Sequence, residues 1–222
     1  MSAAPSTLSA LRSLLAARFP EKNRRPSGGV PTGVPAVDAA LGGGLPAGRL
    51  TEIVSAAPSS GGQTVLAALL VATRAARQRV ALVDAADGFA PDAVPADALR
   101  HLVWVRGREL EATLAAADVL VRDGNFAAVV LDLRGCDERA LGKLPAATWH
   151  RLHRATEASA VAVLVQSTRP LVPAVPCRLI LGLAQPLGSR RAVRGELAAR
   201  LDVTMARGHA EARDEGQEAL AG

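Results

Sequence analysis

The hydrophobic residues of this chain fall into two alternating patterns, which together predict an α/β fold. Short apolar runs typical of buried strands occupy residues 50–56, 79–85, 102–105, 126–133 and 159–166. Between them, apolar residues recur every three or four positions, as on one face of a helix. The main helical segments are residues 64–77, 108–122 and 148–157. This order predicts a mostly parallel central sheet flanked by helices, and residues 178–183 and 200–206 predict antiparallel strands that extend it.

The N-terminal stretch stands apart from this pattern. Four large apolar residues share one helical stripe there: Leu8, Leu11, Leu15 and Phe19. A basic segment containing Pro and Gly follows, so we expect an amphipathic helix and a linker over residues 1–29. The helix either packs on its own domain or docks as a detachable arm on a neighbouring subunit or partner.

We expect the remaining chain to form one domain and a tail. The chain has 222 residues, of which 49% are hydrophobic, enough for one core domain over residues 30–208. Residues 209–222 are polar and acidic, so they predict a disordered tail. Because the chain has neither a signal-peptide core nor an apolar run of membrane-spanning length, we expect a soluble cytoplasmic protein.

Composition narrows the classes of function. The formal charge of +5 is carried mainly by arginine, while three Phe, two Trp and no Tyr leave few platforms for stacking single-stranded bases. Cys136 and Cys177 lack metal-like spacing, and His150 and His153 share a helical face without a third ligand. We therefore predict neither a metal centre nor a nucleophilic enzyme.

The segment between the first strand and the first long helix has the shape of a phosphate-binding loop. The motif is G-x-x-x-x-G-K-[ST], and residues 57–64 read A-P-S-S-G-G-Q-T. Gly62 and Thr64 match, whereas Ala57 replaces the first glycine and Gln63 replaces the lysine. Because that lysine supplies the charge that contacts the β- and γ-phosphates, we predict the shape of a nucleotide site without its chemistry. A strand–turn–helix that never held phosphate is the alternative at this point.

Residues 30–49 carry the most specific motif of the chain. They contain P-T-G at residues 31–33 and then V-D-x-A-L-G-G-G-L-P-x-G-R over residues 37–49. This run resembles the beginning of the RecA recombinase core. The resemblance implies a RecA-like fold, with Asp132 as the Walker B aspartate that helps to hold magnesium. It also implies that Gln166 is the glutamine that senses the γ-phosphate.

Several departures from the family pattern predict that the motor chemistry has been lost. The catalytic glutamate of RecA-like proteins corresponds to Ala86, and Asp87 is not expected to replace it because a one-residue shift redirects the side chain. Residues 134–148 and 167–178 are short where the family carries DNA-binding loops, and the second segment contains three prolines. Together with Gln63, these features predict a pseudo-ATPase without a bound cofactor.

Small RecA-like proteins with a degenerate loop are similar to the ImuA family, which is related to the SulA-type division inhibitors. This resemblance implies an accessory role in translesion DNA synthesis and mutagenesis during the SOS response to DNA damage. The implied partners are an ImuB-type inactive Y-family polymerase, an error-prone DnaE-type polymerase and RecA itself.

Weak DNA binding is a further expectation from the basic residues near the C-terminus. Residues 188–194 predict an exposed basic hairpin. The candidate phosphate contacts are Arg190, Arg191, Arg194, Arg200 and Arg207. A solvated arginine-rich turn is the alternative.

Two other functions remain open on sequence alone. One is a SulA-like inhibitor of cell division that binds a tubulin-like polymer. The other is an atypical ATPase that uses Gln63 and a repositioned acid such as Asp87. The oligomeric state is also open.

Overall fold

The structure is a computed structural model, and it describes residues 29–57, 59–182 and 194–207. The predicted N-terminal helix and the predicted C-terminal tail lie outside the described residues. So do the protein-contact candidates Leu8, Leu11, Leu15 and Phe19 and the DNA-contact candidates Arg190 and Arg191.

The described residues form a seven-stranded sheet in the order β3-β2-β4-β5-β1-β6-β7. The strands are β1 Leu50–Val54, β2 Val80–Asp84, β3 Leu102–Arg106, β4 Ala128–Asp132, β5 Ala162–Ser167, β6 Cys177–Leu181 and β7 Val203–Arg207. Neighbouring strands are parallel except that β7 runs antiparallel to β6. The predicted α/β class with a mostly parallel sheet is confirmed.

Helices cover both faces of the sheet. They are α1 Pro35–Ala40, α2 Gly62–Ala75, α3 Leu110–Asp123, α4 Glu138–Gly142, α5 Ala146–Ser159 and α6 Arg194–Ala199. The first, second and sixth helices contribute to one hydrophobic core, and the third, fourth and fifth contribute to the other. Two short 3-10 turns, Pro91–Ala93 and Ala96–Leu99, precede β3.

The apolar strands alternate their side chains between these two cores. On β2, Val80 and Leu82 pack into the core under α2, whereas Ala81 and Val83 pack into the core under α3 and α5. This period of two follows from the pleat of a strand. Because both faces are buried, the sequence shows continuous apolar runs where a sheet with one solvated face would alternate polar and apolar residues.

The motif at residues 31–49 acts as a structural support for α2. Asp38 Oδ1 accepts hydrogen bonds from the Thr32 amide at 2.8 Å and the Thr32 hydroxyl at 2.7 Å, and Oδ2 accepts one from the Gly33 amide at 3.2 Å. Gly33 has a φ of +72°, and an added Cβ would lie 3.0 Å from the Ala68 carbonyl oxygen on α2. Gly44 likewise approaches the Val30 backbone closely, beside the antiparallel bridge between Val30 and Leu45. The motif thus fixes the chain against α2 before β1 begins.

The predicted element boundaries need small corrections. Helix α2 begins at Gly62, two residues before the predicted start, because the glycine turn feeds directly into it. Strands β1 and β4 end at Val54 and Asp132, short of the predicted ends at residues 56 and 133.

The predicted basic hairpin over residues 188–194 lies outside the described residues except for Arg194. Arg194 is the first residue of helix α6, which packs against α2, so the connection between β6 and β7 contains a helix. Arg, Glu, Leu and Ala, which make up most of residues 194–199, all favour helix.

None of the helices among the described residues is both long enough and apolar enough to cross a membrane.

Candidate functional site

The candidate site lies where four parallel strands end at one edge of the sheet. The turn after β1 leads into α2, while Asp84, Asp132 and Gln166 stand at or near the carboxyl ends of β2, β4 and β5. Asp84 and Asp132 occupy the same register position on neighbouring strands, and so do Asp132 and Gln166. The topology therefore brings together the residues that the sequence predicted as a vestigial nucleotide site.

The turn between β1 and α2 contains residues with left-handed backbone conformations, and a side chain distant in sequence packs on it. Ser59 has a φ of +63° and Gly61 a φ of +108°, whereas Ala57, which replaces the first glycine of the motif, is not left-handed. A Cβ on Gly61 would overlap the Cδ2 atom of Leu201, which follows α6 and is buried. A leucine from the C-terminal part of the core thus packs on the turn between β1 and α2.

Gln63 is directed away from the turn. Its Nε2 donates a hydrogen bond of 2.8 Å to the carbonyl oxygen of Gly88, in the loop after β2. The side chain that replaces the loop lysine therefore links the start of α2 to a neighbouring loop.

Asp132 forms a buried ion pair with Arg134. The Nε and Nη2 atoms of Arg134 donate to the two carboxylate oxygens at 2.8 and 2.5 Å, and the Arg134 amide donates to Oδ1 at 3.1 Å. Only 3% of the Asp132 side chain and 16% of the Arg134 side chain are exposed. Both oxygens of the Walker B carboxylate are thus engaged by a cation from its own chain.

Two buried polar atoms near the turn lack a hydrogen-bond partner among the described residues. Gln166 donates through Nε2 to the Gly62 carbonyl oxygen at 3.3 Å, but its Oε1 has no partner. Ser55 Oγ is also without one, and it would lie 2.9 Å from a Cβ placed on Gly62. Buried groups left in this way are costly, so the turn retains polar atoms that its present packing does not satisfy.

The loop after β2, which carries the position of the catalytic glutamate, is fixed by hydrogen bonds. Asp84 accepts from the amides of Gly88 and Phe89 at 3.0 and 2.9 Å and from Nε1 of Trp104 at 3.3 Å. The Phe89 and Trp104 rings meet edge to face at 5.2 Å. Ala86 in this loop is exposed and carries no carboxylate.

Asp87 does not point a free carboxylate at the site. It forms an exposed bidentate ion pair with Arg106 on the edge strand β3, and the shorter of its two hydrogen bonds is 2.5 Å long. The hydrogen bond from Arg106 lowers the pKa of Asp87 below its ordinary value, which keeps the pair ionised.

The proline-containing segment after β5 is held by a second buried ion pair. Glu52 on β1 is fully buried, and its Oε2 accepts from Nε of Arg178 at 2.6 Å. Its Oε1 accepts from the amides of Leu171 and Val172 at 2.7 and 3.2 Å, and from the Ser167 hydroxyl at 3.3 Å. The segment after β5, for which the resemblance implies a shortened DNA-binding loop, is therefore tied to the centre of the sheet.

The other shortened segment is tied to the first. Nη2 of Arg169 donates a 2.8 Å hydrogen bond to the Glu138 carbonyl oxygen at the start of α4. Cys136 lies between this helix and the site, and burial raises the pKa of its thiol to about 11, with the negative charges of Asp132 and Asp84 acting in the same direction. This thiol stays protonated near neutral pH.

Three of the DNA-contact candidates fall on described residues. Arg194 begins α6, and Arg200 follows this helix and lies 3.9 Å from Glu196. Arg207 ends β7, where it pairs with Arg178 of β6.

The described residues do not fit a magnesium-bound nucleotide in this arrangement. Magnesium takes carboxylate oxygens as ligands, but those of Asp132 are both engaged by Arg134. Leu201 packs on Gly61 of the turn, and Gln63, which replaces the loop lysine, is neutral and bonded to Gly88. Within the described part of the chain, no group of three or more His, Cys, Asp or Glu side chains could hold a metal ion in its place.

Reasoning from sequence missed three functional side chains of this site. Arg134 could have been flagged because it is a cation two residues after the Walker B aspartate. Glu52 is an acid inside an apolar strand, which is a signal for a buried partner. Leu201 gave no signal, since its contact with Gly61 depends on how distant segments pack.

A doubly covered parallel sheet, with a glycine turn between β1 and α2 and acids ending β2 and β4, defines a RecA-like α/β protein. The family model of the RecA N-terminal domain matches residues 16–136, more than half of the chain. The chain belongs to this family.

Individual relatives match over about the same length. The chain is 40% identical to the Protein RecA of Nocardia farcinica over 122 residues, which are 52% of this chain and 34% of the relative. It is 39% identical over 122 residues to the Protein RecA of Mycolicibacterium vanbaalenii and to that of Rhodococcus jostii, covering 52% of this chain and 33% and 34% of those relatives. The matched part thus spans about a third of the length of these relatives.

Proposed function

We infer that this protein is a non-catalytic RecA-like accessory factor of bacterial translesion DNA synthesis. It would act as an adaptor for an ImuB-type inactive Y-family polymerase and an error-prone DnaE-type polymerase, with RecA as a further partner. The observation that carries the non-catalytic part is the commitment of both Asp132 oxygens to Arg134.

Independent features of the site support a loss of hydrolysis. Gln63 brings no charge, Ala86 brings no carboxylate for orienting water, and Leu201 covers the turn. A motor also needs loops that rearrange with the nucleotide, but the segment after β5 is tied to Glu52 by several hydrogen bonds. A well-packed core that lacks the lysine charge, the catalytic carboxylate and the mobile loops is suited to binding partner proteins.

The partner identities rest on the resemblance to the ImuA family. The N-terminal stripe of Leu8, Leu11, Leu15 and Phe19 is the proposed contact surface, since four large apolar residues on one helical face suit an interface. Arg200 and Arg207 would add weak, salt-sensitive attraction to DNA.

The experiment is a binding assay of the full chain with each purified partner from the same organism. The variant Leu11→Glu/Leu15→Glu should weaken capture of the ImuB-type protein at least tenfold, because it places charges in the apolar stripe. The matched control is Ala10→Glu/Ala17→Glu, which adds the same two charges on the opposite face of the predicted helix and should leave capture intact.

A different outcome would favour another function. Capture that is equal for both variants would contradict the proposed contact surface. Absence of any polymerase partner, together with inhibition of a tubulin-like polymer in a sedimentation assay, would replace the adaptor by a SulA-like division inhibitor.

A further inference from the structure

Arginines gather at the edge of the sheet opposite the candidate site, where α2 ends and where β2 and β3 begin. Residues 74–79 and 97–101 contain four arginines and one acid. They are Arg74, Arg77, Arg79, Arg100 and Asp97. The backbone brings the two segments together, because Val80 of β2 is the register partner of Leu102 of β3. More than half of the chain's formal charge of +5 therefore lies on one small part of its surface.

Only part of this charge is neutralised within the described chain. Arg74 forms a bidentate pair with Asp97 through two hydrogen bonds of 2.9 Å, and Arg100 lies 3.9 Å from the same carboxylate. Arg77 and Arg79 are exposed and form no ion pair with a described residue. The surface thus keeps a net positive charge that attracts anionic groups.

Arg77 also has an unusual backbone conformation. Its φ of +56° is left-handed, and it directly follows the C-cap residue of α2. The amide of the next residue, Gln78, donates a 2.9 Å hydrogen bond to the Thr73 carbonyl oxygen, which closes the helix. Glycine is the usual residue at such a position because a Cβ is disfavoured there. Arginine is thus kept here against the backbone preference, as happens at binding sites.

An open pocket of about 410 Å³ lies beside these charges. Val71, Ala75 and Pro95 give it an apolar lining, and Arg74 and Arg77 give it a cationic rim. Val71 is 43% exposed, which is unusual for a large apolar residue of this domain. Such a pocket fits a peptide segment that carries an aliphatic side chain close to carboxylates.

Among the longer parts of the chain that lie outside the described residues, residues 208–222 have this chemistry. They contain four acids and one arginine, and Leu220 follows Glu218 by two positions. Residues 1–28 instead carry five basic residues against one acid, and residues 183–193 carry two arginines and no acid. Charge complementarity therefore selects the C-terminal segment.

The topology also places this segment within reach of the pocket. Because β7 runs antiparallel to β6, the chain leaves the sheet after Arg207 at the same edge where β2 begins. Five strand spacings separate β7 from β2, which is about 24 Å at the usual distance between strands. The chain from Arg207 to Glu218 spans up to about 36 Å when it is extended. The exposed Arg49, just before β1, lies at this edge between the two strands.

We propose that the acidic segment of residues 211–220 docks in this pocket of its own chain. Its carboxylates, those of Glu211, Asp214, Glu215 and Glu218, meet the arginines, and Leu220 contacts the apolar lining. Because the segment is tethered, its effective concentration is roughly millimolar, so a weak contact is enough to fill the pocket. An anionic partner of this surface must then displace the segment. This contact goes beyond the adaptor role and does not depend on it.

The test is coupling of carboxylates to amines by a carbodiimide, which adds no spacer, in the full-length chain. The chain contains only two lysines, Lys22 and Lys143, so Arg77→Lys places a new reactive amine in the pocket while keeping the charge. Mass spectrometry should find position 77 joined to carboxylates of residues 211–218. The matched control is Arg139→Lys, at an exposed position on α4 near the opposite edge of the sheet, which should give at least about fivefold less of this product.

Three further measurements make the result specific. NaCl at about 1 M, where the screening length is about 3 Å, should remove most of the product. A mixture of ¹⁵N-labelled and unlabelled chains should give products within single chains only. Arg79→Lys repeats the coupling at a second position beside the pocket. Equal yields at positions 77 and 139, no product with residues 211–218 at either position 77 or 79, or products that join labelled to unlabelled chains would overturn the proposal.

Discussion

Two buried arginine–carboxylate pairs involve residues of the central sheet, and they differ in what they hold. Glu52 and Arg178 are 126 residues apart, and the carboxylate also binds two backbone amides and a hydroxyl of the segment after β5. Asp132 and Arg134 are two residues apart, and their guanidinium faces the first turn of α2. The Glu52–Arg178 pair holds together segments that are distant in sequence, whereas the Asp132–Arg134 pair occupies the candidate site.

The difference shows how a nucleotide-binding fold can keep its shape while losing its ligand. The Glu52 network satisfies nearly all the hydrogen-bonding capacity of its acid, as expected for a structural ion pair. Around Arg134, by contrast, Ser55 Oγ and Gln166 Oε1 lack partners within the described chain.

The largest effect on the free energy of unfolding is expected from breaking the ion pair between Glu52 and Arg178. Arg178→Ala leaves the fully buried Glu52 without its cation and should cost about 3–5 kcal/mol of the free energy of unfolding, measured by urea denaturation. Arg106→Ala is the control, since it breaks an ion pair that is exposed on both sides. Similar losses in the two variants would contradict the structural role of the Glu52 network.

The packing of Leu201 on the glycine turn should give the next largest effect. Leu201→Ala removes a buried side chain and should cost about 2–3 kcal/mol. Gly61→Ala should be more damaging than Gly43→Ala: both glycines have left-handed φ angles, +108° and +119°, but only the Cβ of the former would overlap Leu201. Gly43→Ala thus isolates the backbone strain.

A double variant of Gly61 and Leu201 separates the backbone strain at Gly61 from its steric overlap with Leu201. In Gly61→Ala/Leu201→Ala the overlap disappears, so the summed loss should exceed the loss of the double variant by about 1 kcal/mol or more. Strict additivity would mean that Leu201 does not cover the turn in solution.

Restoring the loop lysine should change little. Gln63→Lys loses one exposed hydrogen bond to Gly88, so stability should change by less than about 1 kcal/mol. Hydrolysis of ATP and calorimetric binding should both stay at background, because Arg134 and Leu201 still fill the site. Saturable nucleotide binding by Gln63→Lys alone would show that lysine was the missing part.

The smallest expected effect is a change in thiol reactivity. Cys177 reports on the Glu52–Arg178 pair, and Cys136 reports on the Asp132–Arg134 pair. Burial raises the pKa of both thiols, but the charge of Asp132 contributes only at Cys136. A raised pKa leaves less thiolate at a given pH, so iodoacetamide should label Cys136 slowly at pH 9 and faster only as the pH approaches about 11. Asp132→Asn should lower the pKa of Cys136 and speed its labelling, while Cys177 keeps its rate. Equal acceleration at both positions would indicate general loosening.

Much of this architecture could be predicted because it follows from the local pattern of apolar and polar residues. Continuous apolar runs located the strands, and the strand–turn–helix order placed Gln63, Asp132 and Gln166 at one edge of the sheet. The short helix before β7 was not predicted, although its Arg, Glu, Leu and Ala residues favour helix. Arg134 and Leu201 were missed because their roles depend on where a side chain points and on contacts between distant segments. Such features follow from tertiary packing, which no local pattern encodes.

The central claim is that the site no longer takes a nucleotide, and calorimetry tests it most directly. The full-length protein would be titrated with ATP and MgCl₂, and in parallel with a non-hydrolysable ATP analogue. The account predicts no saturable heat up to millimolar nucleotide for either ligand. Saturable one-to-one binding that is lost in Asp132→Ala would contradict it and would make nucleotide a ligand of this protein.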